Sequence, residues 1–246
     1  MSRRRVLVIG NSHTRALADA RSAEPGGAVG EVDIEVFWLQ SRKSEDRVVG
    51  DLPYEEACER VAGLASADLF VLSIFGAFHN IYGLLRHQQP FWLAPESGAA
   101  PEDVPQGSEL MPRRVAEAWF RAASLGNRRV DGLLKRCSAR RCHLMTPPPK
   151  GDNAYIAERT KKYRERVLDD HSISDPVQRL RLWSVERRAL AEALRPAGVD
   201  LVDPPDAAID ARGFLRREHY GSDATHANAA YGRLVLEQLS TLARGA

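Results

Sequence analysis

Two short segments near opposite ends of the chain contain the residue types of nucleophilic catalysis. The first, GNSH at residues 10–13, directly follows an apolar run, and the second, DATH at residues 223–226, precedes the last helix-like stretch. A serine hydroxyl is a poor nucleophile unless a base removes its proton, and a histidine oriented by a carboxylate is such a base. Together the segments predict that Ser12 is the nucleophile, His226 its general base and Asp223 the group that orients the histidine.

The place of Ser12 in the predicted fold favours this chemistry. Ser12 follows the apolar run Val6–Ile9, which is typical of a buried parallel strand, and begins a stretch compatible with a helix. Ligands of open α/β sheets bind at the carboxyl ends of strands, and N–H groups at a helix start favour the negative charge of an acyl-transfer intermediate. Each motif also has a simpler interpretation. Ser12 could be a helix N-cap, and Asp223 could cap the last helix with an exposed His226 beside it.

The two motifs, in this order and at the two ends of the chain, resemble the first and last sequence blocks of the SGNH/GDSL hydrolases. The usual first block is Gly-Asp-Ser, and Asn11 stands here in place of the aspartate. The resemblance implies a flavodoxin-like three-layer α/β/α sandwich with a central parallel sheet of about five strands. It also implies a serine esterase that acts through a covalent acyl-enzyme and needs no metal or organic cofactor.

The middle blocks of that family supply the oxyanion hole. The family binds the oxyanion with the N–H of the nucleophile, a glycine after the second strand and an asparagine after the third. The resemblance therefore implies an oxyanion hole made of Ser12, Gly50 and Asn80. Gly50 is equally well interpreted as a turn or helix-entry glycine.

The segment after the third predicted strand departs from the family pattern, which is usually Gly-x-Asn-Asp. Counting from Gly76 places Phe78, or Ala77 in a close variant, where the asparagine is expected, and Asn80 is the only asparagine in the segment directly after the strand. Loss of one oxyanion donor typically lowers the rate by about 100- to 1000-fold. His79 is open to three interpretations: a substitute donor, a substrate contact, or a histidine that is packed or at the surface.

Predicted strands alternate with predicted helices along the chain. Strands are predicted at residues 6–9, 32–39, 68–74, 142–145 and 199–202, and helices at 54–65, 113–123, 128–137, 177–194 and 228–243. Such alternation predicts a parallel sheet covered by helices on both faces. We expect one domain over residues 1–246, with loop insertions at 90–112 and 150–176.

Composition argues against several classes of function. The 246 residues carry a formal net charge of +2 and no alternation of basic and aromatic residues, so no nucleic-acid partner is predicted. No apolar run is long enough to span a membrane, the histidines lack zinc-ligand spacing, and no nucleotide-binding loop is present. Three cysteines without C-x-x-C spacing indicate a reducing compartment, and we expect a cytoplasmic protein. The oligomeric state is left open.

The sequence thus predicts a hydrolase that removes a small acyl group from a carbohydrate, a lipid or a thioester. An acyltransferase would use the same residues, with an alcohol in place of water as the acceptor. A non-catalytic module that binds carbohydrate or protein on the same fold is the alternative from a different class. The irregular segment 76–80 motivates that alternative.

Overall fold

The computed structural model describes residues 3–23, 28–29, 32–44, 46–96, 104–160 and 173–245. Within these residues lie ten strands and eight α-helices. The strands are β1 (Arg4–Gly10), β2 (Ala28–Val29), β3 (Val32–Trp38), β4 (Ser41–Ser44), β5 (Arg47–Val49), β6 (Leu69–Ser73), β7 (Phe91–Leu93), β8 (Glu109–Met111), β9 (Arg140–Leu144) and β10 (Val199–Val202). The helices are α1 (Arg15–Ala23), α2 (Tyr54–Ala62), α3 (Phe78–Gly83), α4 (Arg113–Ser124), α5 (Arg128–Arg136), α6 (Asn153–Arg159), α7 (Pro176–Leu194) and α8 (Ala229–Arg244).

A six-stranded sheet forms the middle layer. Its strand order is β10-β9-β6-β1-β3-β2; the first five strands run parallel, and the short β2 is antiparallel to β3 at the edge. Helices pack on both faces of this sheet. The structure therefore confirms the predicted α/β class, a three-layer α/β/α sandwich on a parallel sheet of five strands.

Strand β1 lies inside the sheet because its side chains are apolar on both faces. Successive strand residues point to opposite faces, so Val6 and Val8 enter one core while Leu7 and Ile9 enter the other. All four side chains are fully buried. The first core lies beneath α1 and α8, and the second beneath α2, α5 and α7. A near-continuous apolar run is what a parallel strand buried on both faces requires.

Helices α1 and α8 pack side by side and bring the two ends of the chain together. Gly232 of α8 permits this contact, because a Cβ atom there would lie 2.0 Å from the backbone oxygen of Ala16 in α1. The turn containing Ser12 leads into α1, and the turn containing His226 leads into α8. The close approach of the two helices therefore places the two sequence motifs beside each other.

Gly232→Ala is expected to lower the free energy of unfolding by about 1–3 kcal/mol, since the added methyl group would meet backbone atoms and force the two helices apart. Urea unfolding followed by circular dichroism measures the change. Gly63→Ala is the control, because a Cβ atom at Gly63 would lie 3.5 Å from its nearest neighbour, an ordinary contact. An unfolding free energy equal to that of the parent would contradict this account of the helix contact.

Element bounds differ from the predicted ones where local signals are weak. The predicted helix 54–65 ends at Ala62, because Gly63 caps it. The hairpin of β4 and β5 was not predicted, since its polar sequence lacks the apolar alternation of a half-buried strand. Among the described helices, none has the length and apolar character needed to cross a bilayer.

Both predicted insertions carry ordered structure near their ends. In segment 90–112, β7 pairs with β8, and Leu93 is buried against α4 and α7, while residues 97–103 lie outside the described residues. In segment 150–176, Lys150 is buried and α6 follows it. Residues 161–172 lie outside the described residues, and Pro176 is already the first residue of α7.

Candidate active site

The turn after β1 presents Ser12 at the carboxyl end of the sheet. Strand β1 ends at Gly10, and Ser12 is the first residue of a 3₁₀ turn that leads into α1. No side chain fits at Gly10, where a Cβ atom would lie 2.4 Å from Cγ2 of Thr14 and 2.5 Å from the backbone oxygen of Ser73. The chain therefore turns tightly against β6 just before the serine.

Asn11, and not Ser12, caps this turn. The Asn11 side-chain oxygen accepts a hydrogen bond from His13 N at 3.0 Å, and the Asn11 backbone oxygen accepts one from Thr14 N at 3.0 Å. The interpretation of Ser12 as an N-cap is therefore wrong, because the neighbouring amide already fills that role. The Ser12 hydroxyl is left for other partners.

The side-chain amide of Asn11 also explains why an aspartate would not serve at this position. Asn11 Nδ2 donates a hydrogen bond to the backbone oxygen of Ile74 at 2.8 Å, and Asn11 N donates one to Ser73 O at 2.9 Å. A carboxylate has no proton to donate, and its negative charge would repel the partial negative charge of the Ile74 oxygen. The amide thus joins the nucleophile turn to the end of β6.

Asn11→Asp is expected to lower the free energy of unfolding by about 1–3 kcal/mol, because it leaves the Ile74 carbonyl without its donor and places a carboxylate beside it. Chemical denaturation at neutral pH measures the change. Asn127→Asp is the matched control, since Asn127 caps α5 only as an acceptor, from Arg129 N and Val130 N. A loss of stability of the same size in both variants would contradict the role given to the Asn11 amide.

The structure brings Ser12, His226 and Asp223 into one chain of hydrogen bonds. Ser12 Oγ lies 2.8 Å from His226 Nε2, and His226 Nδ1 lies 2.6 Å from Asp223 Oδ2. The order hydroxyl, imidazole and carboxylate is the one that general-base activation of a serine requires. The side chains of His226 and Asp223 are 31% and 51% exposed, so a substrate can approach the group from solvent.

Asp223 holds its own turn as well as the histidine. Its Oδ1 accepts hydrogen bonds from Thr225 N and His226 N, both at 2.8 Å, while Oδ2 faces the imidazole. It does not cap the last helix, because Asn228 does so by accepting from Tyr231 N. The simpler interpretation of the DATH segment is therefore wrong, and the exposed carboxylate has the histidine as its partner.

The charge state of Asp223 follows from these contacts. Partial burial raises its pKa, but the hydrogen bonds from the His226 side chain and from the His226 and Thr225 backbone outweigh that effect and hold the pKa of Asp223 well below its ordinary value. The carboxylate is therefore ionised at neutral pH. An ionised carboxylate stabilises the imidazolium that forms when His226 takes a proton.

A second imidazole lies against His226. The rings of His13 and His226 have centroids 4.6 Å apart and are tilted by 39°. Burial, with the nearby charge of His226, lowers the pKa of His13 to about 3, so that His13 is neutral at neutral pH. His13 thus supports the ring of His226 without adding a competing charge; the sequence showed only its place beside the nucleophile.

The three side chains open into a cleft of about 470 Å³. Beside them the cleft is lined by Arg15 and Asp19 of α1, and by Trp38 at the end of β3. Trp38 is half-buried, and the two charged residues are exposed. The described residues contain no group of three or more histidine, cysteine or acidic side chains with the spacing to bind a metal ion. The cleft therefore offers an aromatic surface and charged hydrogen-bonding groups.

Neither Gly50 nor Asn80 is among the described residues that line this cleft. Gly50 has a φ of +100°, and a Cβ atom there would lie 2.7 Å from Trp38 O, so the backbone path alone requires a glycine. This supports its interpretation as a turn glycine. Asn80 lies in α3 and is half-buried. A role of either residue in the oxyanion hole stays a prediction.

His79 is packed against a buried carboxylate. Its side chain is 1% exposed, and its Nδ1 lies 2.8 Å from Oε2 of Glu186, which is fully buried on α7. Glu186 also accepts hydrogen bonds from Phe78 N and His79 N, at 3.0 and 2.8 Å. Of the three interpretations of His79, the structure shows the packed histidine. The pair joins the start of α3 to α7.

Lys150 was not recognised from the sequence, because it falls in a segment predicted to be an insertion. It is 2% exposed, and its ammonium group reaches the turn that carries Asp223. A lone lysine after a run of prolines gives no local signal of such a contact. Only the assembled fold brings residues 150 and 223 together.

Comparison with known proteins leaves the family of the chain open. No protein-family model matches it, and no curated protein sequence matches it. Among solved structures, the periplasmic domain of a lipopolysaccharide acetyltransferase from Salmonella ser. Paratyphi A is 9% identical, with a TM-score of 0.46 over 98% of this chain and 83% of that one. Two other crystal structures have identities of 10% and 15% and TM-scores of 0.45 and 0.43, over 98% and 99% of this chain and 96% and 97% of theirs.

Proposed function

We propose that the protein is a serine esterase that cleaves an acyl ester through a covalent acyl-enzyme. The observation that carries the proposal is the hydrogen-bonded chain of Ser12, His226 and Asp223, with 2.8 and 2.6 Å between successive groups, at the mouth of an open cleft. A serine, a histidine and a carboxylate from distant parts of the sequence meet there in the order that acyl transfer requires.

The chemistry begins with proton transfer from Ser12. Ser12 Oγ attacks the acyl carbonyl carbon while His226 Nε2 takes the hydroxyl proton, and Asp223 stabilises the resulting imidazolium. The tetrahedral intermediate then breaks its bond to the alcohol oxygen, and His226 returns the proton to that oxygen. In the second half, His226 removes a proton from water, which attacks the acyl-enzyme and releases the acid and free Ser12.

The oxyanion needs donors that are already in place when charge develops on the carbonyl oxygen. In the nucleophile turn the N–H groups of Asn11, His13 and Thr14 are occupied, which leaves the Ser12 N–H as the donor for the oxyanion. Gly50 N–H and Asn80 stay the candidates for the second and third donors, as the family resemblance implies.

The lining of the cleft favours an acylated carbohydrate over a lipid. The half-buried ring of Trp38 offers a flat apolar face to a sugar ring, and Arg15 and Asp19 offer charged partners to hydroxyl groups. A long acyl chain would instead need a continuous apolar channel. We therefore propose a small acyl group on a hydroxyl-rich alcohol as the substrate.

Covalent trapping tests the nucleophile without knowledge of the natural substrate. A fluorophosphonate is expected to add to Ser12 Oγ with loss of fluoride, and peptide mass spectrometry locates the adduct. Adducts on other residues, with Ser12 unmodified, would overturn the proposal. Hydrolysis of p-nitrophenyl acetate with and without sugar acceptors then separates hydrolysis from acyl transfer. Binding of a saccharide without any turnover or trapping would instead favour the non-catalytic module.

A further inference from the structure

Lys150 is a buried cation whose partners all lie around one turn. Lys150 Nζ donates hydrogen bonds to the backbone oxygens of Gly221, at 3.1 Å, and Asp223, at 2.5 Å. Both acceptors belong to the turn that leads to His226. The ammonium group is therefore bonded to the backbone that carries the carboxylate of the proposed active site.

Two tyrosine rings enclose the same ammonium group. Lys150 Nζ lies 4.9 Å from the ring centroid of Tyr155 and 5.0 Å from that of Tyr220. The Tyr155 hydroxyl donates to Gly221 O at 2.5 Å, and the Tyr220 hydroxyl accepts from Gly151 N at 3.0 Å. Segment 150–155 thus contacts the turn through the Lys150 ammonium group, the Tyr155 hydroxyl and the Gly151 N–H, which binds the Tyr220 hydroxyl.

The backbone of the turn is held by a hydrogen bond of its own and by a close contact at Gly221. Gly221 N donates to His226 O at 2.9 Å, and a Cβ atom at Gly221 would lie 2.7 Å from the same oxygen. The turn is closed on itself at this point. The carbonyl groups on the outside of the turn face Lys150. A side chain from another part of the chain can fix the position of the turn through them.

The charge of Lys150 works against burial. Desolvation lowers its pKa to about 8, the negative charge of Asp223 opposes this decrease, and the positive charge of Arg159 adds to it. Further cations around it are Arg179, which donates to Lys150 O, Arg217, which lies over the ring of Tyr155, and Arg212, which lies beside Gly151. A buried charge costs free energy unless its partners compensate, and the partners of this ammonium group are carbonyl groups of the turn and the two tyrosine rings beside it.

We infer that Lys150 is a positioning residue: its ammonium group fixes the turn 221–223 so that the Asp223 carboxylate stays on His226 Nδ1. The inference rests on the proposed function and identifies how the carboxylate of the proposed active site is held in place. Lys150 touches neither the substrate nor the reacting atoms; it acts through the Gly221 and Asp223 carbonyl groups.

Lys150→Met keeps the apolar stem and removes the donors, so it tests this role. We expect kcat for p-nitrophenyl acetate to fall about 100-fold, since a small displacement of a catalytic group has an effect of this order. The KM is expected to stay unchanged, because Lys150 does not line the cleft. Lys135→Met, at an exposed site on α5, is the control and is expected to keep the parental kcat.

Tyr155→Phe gives a second variant in case Lys150→Met does not fold. It removes only the hydroxyl that donates to Gly221 O and leaves the ring beside the ammonium group. We expect a smaller decrease in kcat, about 10-fold or less, on the same argument of small displacements. An unchanged kcat in both variants, or a rise in KM that accounts for the whole loss, would overturn the positioning role.

A readout without turnover separates this inference from the proposed function. In protein labelled with ¹⁵N-histidine, the proton shared by His226 Nδ1 and Asp223 is expected to give a narrower signal in the parent than in Lys150→Met. If the parent cleaves no ester but this signal behaves as expected, the proposed function fails and the positioning role stands. If the signal is identical in the two proteins, the positioning role is overturned whatever the activity.

The pH dependence of stability gives an independent check on the burial of the ammonium group. Because its folded pKa is lowered, the unfolded chain binds more protons than the folded chain between about pH 8 and the ordinary lysine pKa. The unfolding free energy of the parent relative to Lys150→Met is therefore expected to rise with pH in that window. A flat difference would contradict a lowered pKa and would mean that the partners of the ammonium group compensate its burial in full.

Discussion

Ser12→Ala is expected to lower kcat for an activated ester by about 10⁵- to 10⁶-fold, which leaves only the residual rate that substrate binding and the oxyanion donors provide. The variant removes the proposed nucleophilic atom, and among the described residues no other hydroxyl is hydrogen-bonded to His226 Nε2. His226→Ala is expected to cause a loss of similar size, because the two residues act as a unit and their losses do not add. Initial rates of p-nitrophenyl acetate hydrolysis measure both.

The fold should be nearly unaffected by the Ser12 substitution. The Ser12 hydroxyl has one hydrogen-bond partner among the described residues, His226, so its removal is expected to change the unfolding free energy by about 1 kcal/mol or less. Ser22→Ala is the matched control: its hydroxyl bonds to Ala18 O within α1, away from the cleft. Turnover that survives in Ser12→Ala, with the control unchanged, would remove Ser12 from the mechanism.

The sequence was informative where local pattern and general topology agree. The run Val6–Ile9 predicted a buried strand, and the rule that ligands bind at the carboxyl ends of parallel strands placed Ser12 at a reachable edge. The same reasoning placed Asp223 and His226 in a turn before the last helix. These predictions needed only patterns within a few neighbouring residues, together with the rule that the carboxyl ends of parallel strands lie at the same edge of the sheet.

The sequence was uninformative where a role depends on distant partners. The amide of Asn11 bonds to Ile74, which lies 63 residues away in the sequence, and Glu186 lies 107 residues from its partner His79. Nothing in the local sequence of Lys150 indicates that it is buried beside Asp223. The spacing of apolar side chains predicts whether a segment is a helix or a strand. It does not predict which helices and strands pack together, and these contacts depend on that packing.

Titratable side chains in unusual environments mark the candidate site more clearly than its regular helices and strands do. A buried ammonium group, a neutral histidine whose ring contacts that of another histidine, and an exposed carboxylate with a lowered pKa all gather around one turn. Titratable groups in such environments concentrate at functional sites. This concentration supports an active site at residues 12, 223 and 226 independently of any sequence resemblance.

The unfolding free energy of the protein at acidic pH is expected to depend on Asp223. Its folded pKa lies below its unfolded value, so the stability that it contributes is present above the ordinary aspartate pKa and is lost as the pH falls below it. Asp223→Asn is therefore expected to flatten the loss of stability on the acidic side of about pH 4, where an ordinary aspartate titrates. Denaturation curves at a series of acidic pH values measure the difference between the two proteins.

Asp223→Asn is expected to lower kcat by about 10⁴-fold while the turn keeps its shape. Oδ1 of the parent accepts from Thr225 N and His226 N, so the asparagine oxygen will occupy that position and turn its NH₂ group toward His226 Nδ1. Nδ1 must then accept a hydrogen bond, and the proton of the neutral imidazole moves to Nε2, facing Ser12. An imidazole that already carries a proton there cannot take one from the serine.

Asp210→Asn separates this effect from damage to a turn. Asp210 Oδ1 likewise accepts from two backbone N–H groups, those of Arg212 and Phe214, but it lies away from the cleft and has no histidine partner. We expect this control to keep the parental kcat. Equal losses in the two variants would show that Asp223 only shapes its turn. A loss of kcat confined to Asp223→Asn, measured at neutral pH where both variants are fully folded, would show that its charge and its hold on the tautomer of His226 carry the effect.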